Sequence, residues 1–298
     1  MKVACVGHCT FDITIPMNEY PTENVKYRLT HHIECGGGPA SNAAYLLAKW
    51  GMDTTMISAI GDDYYGSCII DEFNKVGVDT QFIEKVSNHR TTSSYIIANM
   101  SKGTRTVLSS KDQAIPKLSH SIGLNADVIL VDGEHPETAA EVLDSNPDAI
   151  SVLDAGRYNE NTKLLGKKVT YLVCSKEFAQ DFSGKTIDVT NLDLLREILD
   201  SLKDYFQTSV IITLESTGCF TIINGEYQII PSVKVKALDS TGAGDIFHGA
   251  FTYFIANQYA LKEAIRFASI TSAISVTRIG TRFSIPMLSE VLEYDNAL

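Results

Sequence analysis

No stretch of the 298 residues approaches the length of an apolar membrane span, which excludes a helical integral membrane protein. The six cysteines, Cys5, Cys9, Cys35, Cys68, Cys174 and Cys219, form no C-x-x-C pair. The first residues, MKVACVGHCTFDITIP, do not make a signal peptide, because His8 and Asp12 interrupt a short apolar run. Reduced thiols and a cytoplasmic location are the expectation. Basic residues are scarce, with 25 Lys and Arg against 36 Asp and Glu and a formal net charge of -11. Such a surface repels phosphate backbones and anionic lipids, so nucleic acid and membranes are poor partners. Internal repeats, low-complexity tracts and linkers are absent as well. No Gly-Lys-Ser/Thr is present, so there is no classical P-loop. Gly7-His8-Cys9 stands where a dinucleotide fold would need G-x-G-x-x-G.

The composition, 44% hydrophobic and 20% charged, is that of a globular domain able to bury a core without metals or disulfides. Lys2–Gly7 reads as a buried strand, and Cys5 and Cys174 as core. Ile13 to about Ile33 mixes β-branched and polar residues with Pro16 and Pro21, which suits an exposed antiparallel excursion. Ala40–Trp50 and Tyr65–Val76 read as helices stopped by Gly51 and Gly77. Thr91–Leu108 suggests two strands around Ser101-Lys102-Gly103. The two excursions, at about 13–34 and 91–110, are expected to form one small sheet on a domain covering 1–298. Beyond them Val128–Val131, Ala149–Leu153, Val169–Val173 and Val210–Thr213 are strand-like. Helical patterns cover Leu192–Tyr205, Gly244–Asn257 and Leu261–Val276, and Asn224-Gly225 marks a hairpin. Strand–helix alternation predicts a doubly wound, three-layer α/β/α fold. Trp50 and the pair Phe247 and Phe251 are expected in the core, and His31-His32 lacks metal-ligand spacing.

Two segments carry chemistry. In Asp239-Ser240-Thr241-Gly242-Ala243-Gly244-Asp245 small residues precede an acid that opens an apolar helix. Glycines there let a ligand approach backbone N–H groups at the helix start, which makes an anion site. Asp245 could take a proton from a hydroxyl beside a transferring phosphoryl group, or could simply cap the helix. In Gly37-Gly38-Pro39-Ala40-Ser41-Asn42 bare amides and one side-chain amide could meet sugar oxygens, or form a plain connection. Asp12 could accept two adjacent hydroxyls, or lie on a surface loop.

Both segments, in order and properly separated, resemble the two signatures of the PfkB, ribokinase-like carbohydrate kinases, and the resemblance spans nearly the whole chain. It implies the ribokinase-like fold with a β-sheet lid, and an ATP-dependent sugar kinase acting on a primary hydroxyl. Asp245 would be the general base, and the backbone of Gly242, Ala243 and Gly244 the anion hole. Asp12, Gly37, Gly38 and Asn42 would bind the sugar, with Glu134 or His135 reaching it after the strand Val128–Val131.

Val173-Cys174-Ser175-Lys176-Glu177 stands where many members carry Asn-x-x-Glu. It makes Glu177 a candidate for the Mg²⁺ shell and Ser175 for the nucleotide, and its pattern resembles ketohexokinases. Thr213-Leu214-Glu215-Ser216-Thr217-Gly218 resembles a Thr-x-Gly-x-x-Gly nucleotide turn, with Thr213 and Gly218 as contacts. Glu215 replaces a glycine, so it either points away or alters the site. Ser275 to Pro286 resembles a monovalent-cation loop. The implied K⁺ ligands come from Asp239, Thr241, Ser275, Arg278, Gly280 and Ser284. A homodimer through the lid is expected. A ketose or pentose is the expected acceptor. A nucleoside kinase of the same family, or a non-catalytic sugar-binding protein with Asp245 retained, are the alternatives.

Overall fold

The computed structural model describes residues 1–112, 118 and 123–296. The strands are β1 (Lys2–Val6), β2 (Thr10–Met17), β3 (Ile33–Gly37), β4 (Asp53–Gly61), β5 (Asp79–Val86), β6 (Ser93–Asn99), β7 (Thr104–Ser110), β8 (Val128–Val131), β9 (Ile150–Ala155), β10 (Tyr171–Ser175), β11 (Ser209–Thr213), β12 (Gly218–Ile223) and β13 (Glu226–Pro231). The helices are α1 (Pro39–Lys49), α2 (Tyr64–Val76), α3 (Pro136–Ser145), α4 (Glu160–Leu165), α5 (Lys176–Ser183), α6 (Leu192–Phe206), α7 (Ala243–Ala256), α8 (Leu261–Ser275), α9 (Thr281–Ser284) and α10 (Leu288–Asn296).

A nine-stranded sheet runs in the order β13-β12-β11-β10-β9-β8-β1-β4-β5. From β11 to β5 every neighbour is parallel, and β12 and β13 add an antiparallel hairpin at one edge. A parallel sheet must be covered on both faces, and the period of two in β1 shows how. Val3 and Cys5 pack with α1, α2, α7 and α8, whereas Ala4 and Val6 pack with α3, α5 and α6. The three-layer expectation is met, with Cys5, Cys174, Trp50, Phe247 and Phe251 all buried.

The second sheet, β3-β2-β6-β7, is separate. The two excursions form one small sheet, as expected. β2 and β3, at either end of the first excursion, are antiparallel, and residues 18–32 between them are exposed and carry no strand. Two features differ from the sequence reading: β2 is parallel to β6, and its first half is inside, with Phe11, Asp12, Ile13 and Thr14 all buried. β5 has no counterpart in the sequence reading. It is a sheet edge, and its polar residues give no clean alternation. The hairpin Ser93–Ser110 is as expected, and α7 and α8 start and stop within a residue of their predicted limits.

Candidate active site

The C-terminal ends of β1, β8, β9 and β10 and the N-termini of α1 and α7 converge on one place. Gly242 caps α7 in the left-handed region, φ 70°, which a glycine adopts at no steric cost. A Cβ there would also lie 2.1 Å from the Thr281 side chain. The first helical bond runs from Ile246 N–H to Gly242 C=O at 2.9 Å. The N–H groups of Gly244 and Asp245 therefore precede the helical ladder and point out of it. Gly244 is exposed, and nothing lies within 4 Å of where its Cβ would be. The structure thus has an open cradle beside a carboxylate at a helix mouth.

Asp245 accepts a hydrogen bond from Asn42 Nδ2 at 2.8 Å. That contact depends on α1 and α7 lying close. Gly249 makes this approach possible, because a Cβ on it would sit 3.0 Å from Ala43 Cα. Asp12 lies close by, since the Asp245 charge raises its proton affinity. Its Oδ1 accepts from Thr10 Oγ1 at 3.0 Å, and its Oδ2 fills the space that a Cβ on Gly37 would take, 2.1 Å away. Burial, with the Asp245 charge added, pushes Asp12 up to about 6 even though Thr10, Ser94 and Arg282 oppose it. Burial and the neighbouring Asp154 also push Asp245 above the ordinary carboxylate range, against Asn42, His248 and Arg105. Sequence-predicted Asp245, Asn42, Asp12, Gly37, Gly242, Ala243 and Gly244 are thus brought together.

Glu134 stands apart from this cluster in its bonding. Its carboxylate pairs with Lys111 at 2.7 Å, just beyond β7. Its N–H reaches Asp132, a residue the sequence reading did not single out. The Asp132 carboxylate accepts from Glu134, His8 and Ala40 N–H groups at 2.8 to 3.0 Å, tying the ends of β1 and β8 to the start of α1. Burial pushes it up to about 7 despite those three bonds. Gly38 takes φ 96°, and a Cβ there would strike the His8 carbonyl at 2.3 Å.

Three other residues missed from sequence belong here. Arg105 on β7 donates to Ser240 Oγ at 3.0 Å, so the small sheet touches the loop before α7. Arg282, only 3% exposed, reaches Glu72 at 2.8 Å and Ser41 at 2.6 Å. His248 lies one turn into α7, with Asp154 beside it. Isolated arginines and histidines carry no periodic signal, and only the fold brings these to the site.

Ser175, Thr213 and Gly218 lie at the ends of β10 and β11 and the start of β12, with Ser175 and Thr213 in register. The Ser175 hydroxyl caps α5, accepting from Phe178 N–H at 2.9 Å and donating to Gly156 C=O at 2.8 Å. Glu177 is exposed in the first turn of α5. Gly218 has a packing reason for being glycine: a Cβ would meet Ile230 C=O at 2.0 Å. Glu215 is exposed, and its backbone keeps the glycine-like φ of 52°.

The two segments assigned to a monovalent cation lie side by side. Asp239 accepts from Thr241 N–H and Oγ1 at 2.9 and 2.6 Å and from Gly280 N–H at 3.1 Å. Leu238 N–H bonds Val276 C=O at 2.7 Å. Thr281 Oγ1 is buried there without a hydrogen-bond partner, so a buried oxygen donor remains for a cation. The Ser275 and Gly280 carbonyls each accept one N–H and keep a second lone pair. The Arg278 side chain turns away to Glu290, leaving only its carbonyl for such a role. Among the described residues no three His, Cys, Asp or Glu cluster as a metal site. A divalent ion here would rely on few protein ligands, which suits hydrated Mg²⁺ beside exposed Glu177.

Comparison with known proteins agrees with this geometry. A ribokinase from Haemophilus influenzae is 28% identical, over 95% of this chain and 94% of its own length. A ribokinase from Schizosaccharomyces pombe is 30% identical, over 86% of this chain and 85% of its own. A crystal structure from Agrobacterium tumefaciens superposes with TM-score 0.89 at 26% identity, over 99% of this chain and 97% of that one. The family model described as pfkB family carbohydrate kinase matches residues 1–288. With a carboxylate at the mouth of α7 and this match across nearly its whole length, the chain belongs to the pfkB family of carbohydrate kinases, phosphotransferases that act on a sugar hydroxyl.

Proposed function

We propose that the protein transfers the γ-phosphoryl group of Mg·ATP to a primary hydroxyl of a pentose, with Asp245 as general base. The observation that supports this is Asp245 at the mouth of α7, bonded to Asn42, close enough to Asp12 to raise its proton affinity, and next to the open N–H cradle at Gly244. The pentose follows from the similarity to ribokinases.

Bound Mg·ATP supplies the transferable phosphoryl group, and the chain's residues do the rest. Asp12 and Asn42 orient the sugar, with Gly37 and Gly38 presenting backbone to it and Glu134 closing the far side. Asp245 takes the hydroxyl proton, and its raised proton affinity suits that task near neutral pH. The N–H groups of Gly244 and Asp245 and the helix dipole hold the charge of the moving group. Ser175, Thr213 and Gly218 would contact the nucleotide, and Glu177 would hold Mg²⁺, which would offset the charge of the phosphates. K⁺ among Asp239, Thr241, Ser275, Arg278, Gly280, Thr281 and Ser284 would place positive charge beside the anion hole. The small sheet serves as a lid, since Arg105 already spans from it to Ser240.

The test is ADP release with D-ribose, deoxyribose, ketoses and nucleosides as acceptors. A pentose should give the highest kcat/KM. Stimulation by nucleosides alone would replace the acceptor assignment. Sugar binding without turnover would replace the enzyme by a binding protein. Asp245→Asn should lower kcat by roughly 10²- to 10⁴-fold while leaving sugar affinity nearly unchanged. Near-normal turnover would remove Asp245 from the role of base.

A further inference from the structure

Behind Asp245, on the side away from the cradle, lies a buried polar group that the proposed mechanism does not use. His248 is 5% exposed and Asp154, at the C-terminal end of β9, is 6% exposed. His248 Nδ1 lies 2.6 Å from Gly244 C=O, and its Nε2 lies 3.1 Å from Val173 C=O on β10. Carbonyl oxygens only accept, so both ring nitrogens must carry hydrogen. A ring with two N–H groups is the imidazolium cation. Its counter-charge is at hand: Asp154 Oδ2 is 3.1 Å from Nδ1 and has no hydrogen-bond partner of its own.

We propose that His248 is a positioning residue for phosphoryl transfer, an imidazolium charged at neutral pH and anchored by Asp154, that orients the Gly244–Asp245 peptide and sets the proton affinity of Asp245. This rests on the reading of Asp245 as base. Gly244 C=O and Asp245 N–H belong to one peptide plane, so a bond to that carbonyl fixes the direction of an N–H in the anion hole. The adjoining plane is held in the same way, with Ser272 Oγ donating to Ala243 C=O at 2.9 Å. The Nε2 bond to β10 ties this first turn of α7 to the sheet, so the cradle does not move with the helix end.

The charges at this spot are Asp154 from β9, Asp245 and His248 from α7, and Arg105 from β7. Asp154 opposes ionisation of Asp245, while His248 and Arg105 favour it. Burial alone would strip the proton from His248. Asp154 and the two carbonyls outweigh it and hold the ring at about 8.

In the unmodified protein, ring-nitrogen NMR should find His248 doubly protonated at about pH 7. A neutral ring there would overturn the proposal without any variant. His248→Gln should lower kcat roughly 10- to 100-fold with little change in sugar KM. It should also move the acid limb of kcat/KM to higher pH, because Asp154 is left uncompensated. Adding Asp154→Asn removes that charge and should move the limb back towards its original place, which a residue that merely packs would not do. An unmoved limb with normal kcat in His248→Gln would sink the idea. Should Asp245→Asn keep its turnover, the base reading fails by itself, and the ring spectrum still decides the charge of His248.

Discussion

Asp12 shows how a buried carboxylate costs stability. Its folded-state pKa lies above its unfolded one, moving from 3.8 to about 6. The folded chain therefore binds more protons than the unfolded chain in that window. Stability falls as pH rises from about 4 through about 6, and the loss is complete above it. Asp12→Asn should raise the thermal midpoint clearly at about pH 8 and hardly at about pH 4, while weakening sugar binding. An equal gain at both values would contradict burial as the cause. Glu215 is the second residue where position dictates cost. A non-glycine residue at φ 52° is strained by roughly 1 kcal/mol, part of which a glycine returns as unfolded-state entropy. Glu215→Gly should therefore gain about 0.5 kcal/mol in urea unfolding. From sequence this residue read as a charge problem. The backbone angle adds a conformational cost that the sequence did not show.

At the scale of elements, the approach of α1 to α7 decides whether the site exists. Gly249→Val would put a branched side chain against Ala43 backbone, where even a Cβ has only 3.0 Å. The helices must separate or bend, at a cost of roughly 1–3 kcal/mol. Asn42 would lose its 2.8 Å bond to Asp245, so kcat should fall even under conditions where the variant stays folded. Circular dichroism melts with parallel kinetics check both, and full activity at lower stability would show that the helix spacing is not set there. The long elements were legible because burial imposes a period on them. α7 and α8 lie between the sheet and other helices, and each reads as an unbroken apolar pattern ended by polar turns. Short α4 and edge strand β5 carry too few buried positions for a period to emerge.

For the whole molecule, the small sheet is the unresolved surface. Every residue of β7 is exposed, and on one face of the sheet Tyr95 and its cross-strand partner Leu108 present apolar side chains to water. Covering that face against the same face of a second copy is the proposed homodimer. Sedimentation should give about twice the 32.6 kDa chain mass. The pair Tyr95→Glu and Leu108→Glu should halve it, because two facing copies would bury like charges. A monomer before substitution would leave the lid to close alone.

The residues around Asp245 and Asn42, and the apolar periods of the buried helices, were set in the sequence, because local backbone needs and burial each leave a mark on neighbouring positions. What only the fold decided are the partnerships across distance: Asp245 with Asn42, Asp132 with three separate N–H groups, and His248 with Asp154 and Val173. Charge and hydrogen bonding act over a few ångströms of space. Residues 94 or 203 positions apart can meet within that range only after a sheet and its helices have brought them there.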